Sequence, residues 1–273
     1  MLHYVRAVHS DGYVAHIQTI YDDWVADGGD KDGTKLSPIA RAETFRAASA
    51  AVQVTLSAAR ALADSRLSPV SHGVFALVRP PGHHAQSALS GGYCFFNNVA
   101  IAAKYLLGHH NFRGIAILDV DYHHGNGTQE IFYEDPRVLY VSLHADGDYP
   151  YFTGGADERG AAAGLGYNYN FPIPRKDGTD EVYCETLQQA VDVIKKHEEV
   201  EFVIIVSLRV DTYQDDPICD FLLTQDCYPR IGGIIASLNK PTLFVMEGGY
   251  HLETLGDNVA SVLLGFEQAM GSA

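Results

Sequence analysis

The stretch Gly114-Ile-Ala-Ile-Leu-Asp-Val-Asp-Tyr-His-His124 decides the fold class, because it joins an apolar strand to a cluster of polar side chains. Residues Gly114–Asp119 are too apolar for a strand with one face in water, and they therefore predict a strand covered on both faces. Alternation along an extended chain then places the side chains of Asp121 and His123 on the same side of the backbone. Strands covered on both faces are typical of parallel sheets that have helices packed against them.

Other parts of the chain repeat this pattern. Apolar runs that predict strands occur at residues 74–78, 138–143, 202–208 and 241–246. Patterns that predict helices occur at residues 41–64, 97–107, 180–197, 224–238 and 255–268. This alternation predicts an α/β fold with a largely parallel β-sheet flanked by helices on both faces. Two Gly-rich stretches, 28–38 and 147–166, predict loops rather than domain boundaries, so we expect residues 1–273 to form a single domain.

Composition excludes several classes of protein. The net charge is −15 and the Lys and Arg residues are scattered, which argues against direct binding to nucleic acid. The four cysteines form no C-x-x-C pair, which predicts reduced thiols rather than a disulfide framework. The N-terminal residues lack the apolar core of a signal peptide, and the apolar runs are too short to span a membrane. We therefore expect a cytoplasmic protein that does not bind membranes.

Polar side chains follow the five predicted strands in turn. They include the pair His83 and His84, the pair Asp121 and His123, and the single residues His144, Asp211 and Tyr250. Ligand sites in open α/β sheets lie beyond the carboxyl ends of the strands, so we expect these side chains to converge on one site.

Asp121, His123 and Asp211 offer the carboxylate and imidazole donors that Zn²⁺ binds in proteins. Three protein ligands leave a fourth position open, which is the arrangement of a catalytic zinc site. The His83-His84 pair could supply the base that takes a proton from water in zinc-dependent hydrolysis. An isolated Asp-x-His is usually a hydrogen-bonded loop, so the prediction depends on the joint pattern. Fe²⁺ could occupy the same ligands.

Five motifs resemble those of a known family, and they occur in the same order. They are Arg79-Pro-Pro-Gly-His-His-Ala85, Gly91-Gly-Tyr-Cys-Phe-Phe-Asn-Asn98, Ile117-Leu-Asp-Val-Asp-Tyr-His-His-Gly-Asn-Gly-Thr-Gln129, residues 207–217 and Met246-Glu-Gly-Gly-Tyr250. The chain resembles the zinc-dependent histone deacetylase and acetylpolyamine amidohydrolase family over about residues 74–265. Within that family, residues 211–217 are most similar to the bacterial acetylpolyamine amidohydrolases.

The resemblance implies an amidohydrolase that removes acetyl groups from acetylated amines, with zinc held by the three ligands named above. It implies that His84 is the general base and acid, and that His83 is a supporting histidine. Tyr250 would donate a hydrogen bond to the oxyanion that develops in the transition state. Asn126 would orient the ring of His84.

The resemblance also implies a structural potassium site. Its ligands would be Asp119, the hydroxyl of Ser142 and the backbone around Asp121, His123 and Leu143. Asp119 would also be the buried partner of His83. A tunnel for the acyl chain would have Gly92 and Tyr93 in one wall. An aromatic residue from the stretch containing Tyr149 and Phe152 would form the opposite wall.

Two features depart from the family pattern. Arg209 stands two residues before Asp211, where the family carries glycine, and alternation would send its guanidinium to the side of the zinc ligand. This cation could repel the metal, or it could bind released acetate. The chain is also short at the N-terminus, and residues 29–38 are shorter than the insert that narrows the tunnel across a dimer interface in polyamine-selective relatives. Both an acetylpolyamine and an acetyl-lysine peptide stay open as substrates, and a homodimer stays open as the assembly.

Two alternative functions remain. The chain could be a catalytically impaired homologue that binds acylated amines without turning them over. It could also resemble the binuclear manganese ureohydrolases, but these need an additional carboxylate two residues after the histidine, where this chain has Gly125.

Overall fold

The computed structural model describes residues 1–26, 28, 43–65, 72–109, 112–197 and 202–271. Its strands are β1 (Gly73–Ala76), β2 (Gly114–Asp119), β3 (Val138–Ala145), β4 (Asn168–Ile173), β5 (Phe202–Leu208) and β6 (Thr242–Met246). They form one sheet in the order β1-β6-β5-β2-β3-β4, and every pairing between neighbours is parallel.

Helices flank this sheet. They are α1 (Leu2–Arg6), α2 (Asp11–Ala26), α3 (Thr44–Ser65), α4 (Asn98–His109), α5 (Asn126–Phe132), α6 (Asp180–Lys196), α7 (Cys227–Ala236) and α8 (Leu255–Gly271). In the described part of the chain, none of them combines the length and the hydropathy needed to cross a membrane.

The inner strands form the centre of the hydrophobic core. Every residue of β2, β3 and β6 is buried, as expected for strands that are covered on both faces. Helix α6 shows how the sequence sets the ends of a helix, because the Thr179 hydroxyl accepts a hydrogen bond from the Val182 amide at its start. Acidic residues in its first turn and lysines in its last turn complement the helix dipole.

The predicted α/β fold with a parallel sheet flanked by helices is confirmed. All five predicted strands are present within about two residues of their expected ends, whereas β4 and the helices α1, α2 and α5 were not among the predicted elements. The Gly-rich stretch 147–166 is irregular apart from a single 3₁₀ turn at Ala162–Gly164. Except for Gly28, the predicted loop 28–38 lies outside the described residues, and so does the start of the helix predicted from residue 41. The single-domain organisation stays a prediction.

The sheet topology places the candidate site at the carboxyl ends of the two central strands. Strands β2 and β5 are neighbours, and the last residue of β2, Asp119, is in register with Ser207 of β5. Asp121 and His123 follow β2, and Asp211 follows β5 by three residues. The segments that carry these side chains therefore leave the sheet side by side.

Candidate active site

The three predicted metal ligands lie together in the structure. The Nδ1 atom of His123 is 3.4 Å from an oxygen of Asp121 and 3.3 Å from Oδ2 of Asp211. Ligand atoms bonded at about 2.0–2.2 Å to one tetrahedral ion are about 3.3–3.6 Å apart. Among the described residues, neither Nδ1 of His123 nor Oδ2 of Asp211 has a hydrogen-bond partner, although both atoms are buried. The donor types, the spacing and these two atoms without hydrogen bonds fit a divalent cation.

Backbone amides hold the two carboxylates in place. The amide of His123 donates to Asp121 at 2.7 Å, and the amide of Tyr122 donates to Oδ1 of Asp211 at 3.2 Å. Burial opposes ionisation of Asp121, but Arg209 and His83 nevertheless hold the pKa of its carboxyl well below the usual range. Asp121 is therefore anionic, as a metal ligand must be.

The thiol of Cys219, which was not among the predicted ligands, lies close to two of them. In the part of the chain that the structure describes, ligand atoms of His123, Asp211 and Cys219 lie within 4.8 Å of one another. Burial raises the pKa of the Cys219 thiol, so it stays protonated in the metal-free protein. The signal for this residue was weak, because a single cysteine eight residues after Asp211 is not a metal-binding pattern.

His83 is fully buried between two carboxylates. Its Nδ1 is 3.2 Å from Oδ2 of Asp119, and its Nε2 is 3.3 Å from Oδ2 of Asp121. Burial lowers the pKa of His83, but the charges of Asp121 and Asp119 outweigh that effect and raise it to about 9. The raised pKa favours the imidazolium form of His83, which contacts Asp121, a predicted metal ligand.

His84 differs from its neighbour in its environment. Its Nδ1 is 2.9 Å from the side-chain oxygen of Asn126, which places the hydrogen on Nδ1 and leaves the lone pair on Nε2. Burial, and then the charge of His83, lower the pKa of His84 well below its usual value. His84 is therefore a neutral imidazole with one free acceptor nitrogen, which is the form that a general base requires.

Two residues fix the loop that carries this histidine pair. Glu247, directly after β6, accepts hydrogen bonds from the amides of Gly82 at 2.6 Å and His83 at 3.1 Å. Gly92 packs against the other side, where a Cβ atom would overlap the ring of His84. The role of Glu247 was missed, although an acidic residue directly after an entirely apolar strand is a signal that could have found it.

Arg209 lies among the predicted metal ligands. Its side chain is buried, with Nη1 2.9 Å from Asp121 and Nε 2.5 Å from Oδ2 of Asp211. The contact to Asp121 is a hydrogen bond, whereas that to Asp211 is a close ion pair without hydrogen-bond geometry. As predicted from alternation, the guanidinium lies on the same side of the backbone as Asp211, the predicted zinc ligand.

Tyr250 lies next to this guanidinium. The centre of its ring is 5.0 Å from Cζ of Arg209 and 6.0 Å from the centre of the Tyr93 ring. Asp216 accepts a hydrogen bond from the Tyr250 amide at 2.8 Å and so fixes the loop. The hydroxyl of Tyr250 is buried and has no hydrogen-bond partner among the described residues. Burial raises the pKa of this phenol, so it keeps its proton and can donate.

A cavity of about 510 Å³ opens onto the ligands, and its walls are mainly apolar. Its lining residues include His84, His123 and Arg209, together with Gly92, Tyr93 and Tyr149. The ring of Tyr149 is 4.9 Å from that of His84 and lies edge-on to it. The structure thus brings Tyr149 to the predicted tunnel but not Phe152, which is 92% exposed.

The residues predicted to bind potassium lie deeper, at the ends of β2 and β3. Asp119 and Ser142 are in register on these neighbouring strands, and Leu143 follows Ser142 in the core. Oδ2 of Asp119 already contacts Nδ1 of His83 and the hydroxyl of Tyr140, and the Ser142 hydroxyl lies 2.9 Å from His144. Potassium binding here stays a prediction.

Comparisons with known proteins agree with this arrangement. The profile of the histone deacetylase domain matches residues 2–266. Acetylpolyamine amidohydrolase 2 of Pseudomonas aeruginosa is 42% identical to this chain, with 96% of this chain and 82% of the relative covered. The acetylpolyamine amidohydrolase of Mycoplana ramosa is 40% identical over the same two shares.

A solved structure shows the same similarity. The crystal structure of an acetylpolyamine aminohydrolase from Burkholderia pseudomallei superposes with a TM-score of 0.88 at 34% identity. The superposition covers 98% of this chain and 84% of that chain. The family resemblance predicted from the motifs is confirmed, and the chain belongs to the histone deacetylase family.

Proposed function

We propose that the chain is a zinc-dependent deacetylase that hydrolyses the amide bond of acetylated amines. The observation that carries this proposal is the approach of His123 to both Asp121 and Asp211, with His84 lining the same cavity as His123. The three ligands would hold the ion. A bound Zn²⁺ would supply Lewis-acid chemistry, polarising the acetyl carbonyl and acidifying water.

His84 would take a proton from the attacking water through its free Nε2. The hydrogen bond from Nδ1 to Asn126 keeps the ring in the tautomer that this transfer requires. Once protonated, the same nitrogen can pass the proton to the departing amine. His83 cannot do this, because Asp119 and Asp121 contact both of its ring nitrogens.

Tyr250 would donate its hydroxyl hydrogen to the oxygen of the acetyl carbonyl. The hydroxyl is buried without a partner, so it gains a hydrogen bond only when substrate supplies an acceptor. The bond strengthens as negative charge develops on that oxygen, which lowers the barrier rather than tightening the ground state.

The cavity favours a slender aliphatic chain. Tyr93 and Tyr149 offer flat aromatic surfaces on its walls, and Gly92 adds no side chain between them. Such walls suit the methylene stem of an acylated primary amine. An acetylpolyamine and an acetyl-lysine side chain both have this stem, and we propose both as substrates. The cytoplasmic location, the homodimer, iron as an alternative metal and the structural potassium ion stay predictions.

A second candidate function is a binder of acylated amines without turnover. The contacts of Arg209 with Asp121 and Asp211 favour this second function, because they engage carboxylate oxygens that would have to bind the metal ion for the reaction. In this case the cavity would still bind substrate, but hydrolysis would be lost.

Deacetylation of an acetyl-lysine peptide and of an N-acetylated polyamine tests the proposal, with each assay run before and after chelation and after re-addition of zinc. We expect activity that chelator removes and zinc restores, and that is absent in His84→Ala. Binding of the substrates and of zinc with no turnover under any of these conditions would instead identify the non-catalytic binder.

A further inference from the structure

Arg209 contacts the carboxylate oxygens that a bound metal ion would need as ligands. Its Nη1 lies 2.9 Å and 3.1 Å from the two oxygens of Asp121, so it reaches both of them. Its Nε approaches Oδ2 of Asp211, which is the oxygen that faces Nδ1 of His123. The guanidinium therefore already neutralises the carboxylates of the metal-free site.

A zinc ion and this guanidinium cannot share the two carboxylates as they stand. The ion would have to bond to oxygens that now contact Arg209, which would place a divalent and a monovalent cation a few ångströms apart. Like charges at that distance repel strongly where water is excluded, and Arg209 cannot lose its charge because guanidinium stays protonated in proteins. Metal binding therefore requires the side chain to move.

The surroundings of Arg209 hold the guanidinium in its present position. Gly248 lies against it, and a Cβ atom at this position would overlap it. The guanidinium also lies over the Tyr250 ring, with Cζ 5.0 Å from the ring centre, which is a cation–π contact. Arg209 lines the cavity, so the open space into which its head could move is next to the site.

We propose that Arg209 acts as a built-in cation that holds the ligand carboxylates of the metal-free protein and must release them before zinc binds. This inference rests on the metal site of the proposed function. Arg209 stabilises the metal-free chain, because without it Asp121 and Asp211 would be buried carboxylates lacking a cationic partner at that position. It also weakens zinc binding, because that contact is lost when the ion enters.

Zinc affinity, measured by competition with a chromophoric chelator, tests the proposal without relying on catalysis. Arg209→Gly clears the site, and Arg209→Gln removes the charge while filling more of the space, which covers the case in which the glycine variant does not fold. Arg230→Gln is the matched control, because Arg230 is half-exposed and pairs with Glu181 away from the site. Thermal melting of each metal-free protein, and of the same protein with zinc, provides the second readout.

We expect both Arg209 variants to bind zinc about 10–100-fold more tightly than the wild type, with the control unchanged. Without metal they should melt below the wild type, and zinc should raise their Tm by more. Equal or weaker zinc binding by the Arg209 variants would overturn the proposal while leaving the deacetylase function intact. Absence of zinc binding in the wild type and in both variants would overturn the two together.

Discussion

The side-chain oxygen of Asn126 lies 2.9 Å from Nδ1 of His84 and so selects which nitrogen of that ring can accept a proton. The neighbouring His83 is held by two carboxylates instead, so the two adjacent histidines differ in charge. This difference supports the proposed roles, proton transfer by His84 and support of the predicted ligands by His83.

Asn126→Ala should lower kcat by about 10–100-fold, part of the 10²–10⁴ that a general base contributes. The ring of His84 would lose the contact that fixes its tautomer, while the substrate cavity, which Asn126 does not line, would be unchanged. KM should therefore change little, and the pH dependence of kcat should shift. Steady-state kinetics across pH check this, with Gln188→Ala as a control because that amide donates to Asp192 on α6. An unchanged kcat would contradict the role of Asn126.

Tyr250→Phe should lower kcat by about 10²–10³-fold, the usual effect of removing one donor to an oxyanion. Because the hydroxyl has no hydrogen-bond partner among the described residues, its removal should not lower the Tm. Kinetics and thermal melting of the same preparation measure both effects. Tyr151→Phe is the control, since Tyr151 is 63% exposed. A fall in Tm together with full activity would show that the hydroxyl is structural.

Gly92→Ala should reduce both activity and stability, because the added methyl group would overlap the His84 ring. Gly147→Ala is a matched control. Both glycines have a positive φ, +51° at Gly92 and +67° at Gly147, but a Cβ at Gly147 meets nothing within 4 Å. Backbone strain alone should cost about 1–3 kcal/mol in each variant. Loss of activity only in Gly92→Ala would assign the effect to His84, and equal loss in both would refute that explanation.

The metal-free protein should lose stability as the pH rises from about 6.5 to 9. Burial disfavours the His83 imidazolium, but Asp121 and Asp119 outweigh it and raise the pKa of His83 to about 9. A raised pKa means that the folded state binds the extra proton, so the stabilisation is complete below pH 6.5 and is lost as the pH passes through about 9. The loss should be on the order of 3 kcal/mol.

Urea unfolding at several pH values measures this change. In His83→Gln the slope over the same pH range should be shallower, even if the variant is less stable throughout. A wild-type slope that is flat between pH 6.5 and 9 would show that His83 does not gain its proton in the folded protein.

The fold could be predicted where strands are apolar throughout. Strands β2 and β5 were predicted with the observed bounds because both are continuous apolar runs. Strand β4 was missed because its sequence contains Asn168, Asn170 and a proline. The two asparagines are buried because their amides donate to Gln129, a long-range partner that no local pattern reveals.

Some residues of the candidate site could likewise be predicted from the sequence, and others could not. Asp121 and His123 could be paired from their spacing, and Asp211 could be added from its place after a strand. The place of Glu247 directly after β6 was a signal in the sequence, but its partner could not be read from it, because the Gly82 amide is 165 residues away. The contacts of Arg209 could be predicted only as a direction, since alternation gives the side of a strand but not the partner atoms.

We propose above all that Asp121, His123 and Asp211 bind one divalent ion. Anomalous diffraction at the zinc edge, from crystals grown or soaked with excess zinc, would locate that ion. We expect one anomalous peak, about 2.0–2.2 Å from a donor atom of each of the three residues. A map with no peak within bonding distance of all three, or with the ion held by Cys219 in place of Asp121, would contradict it.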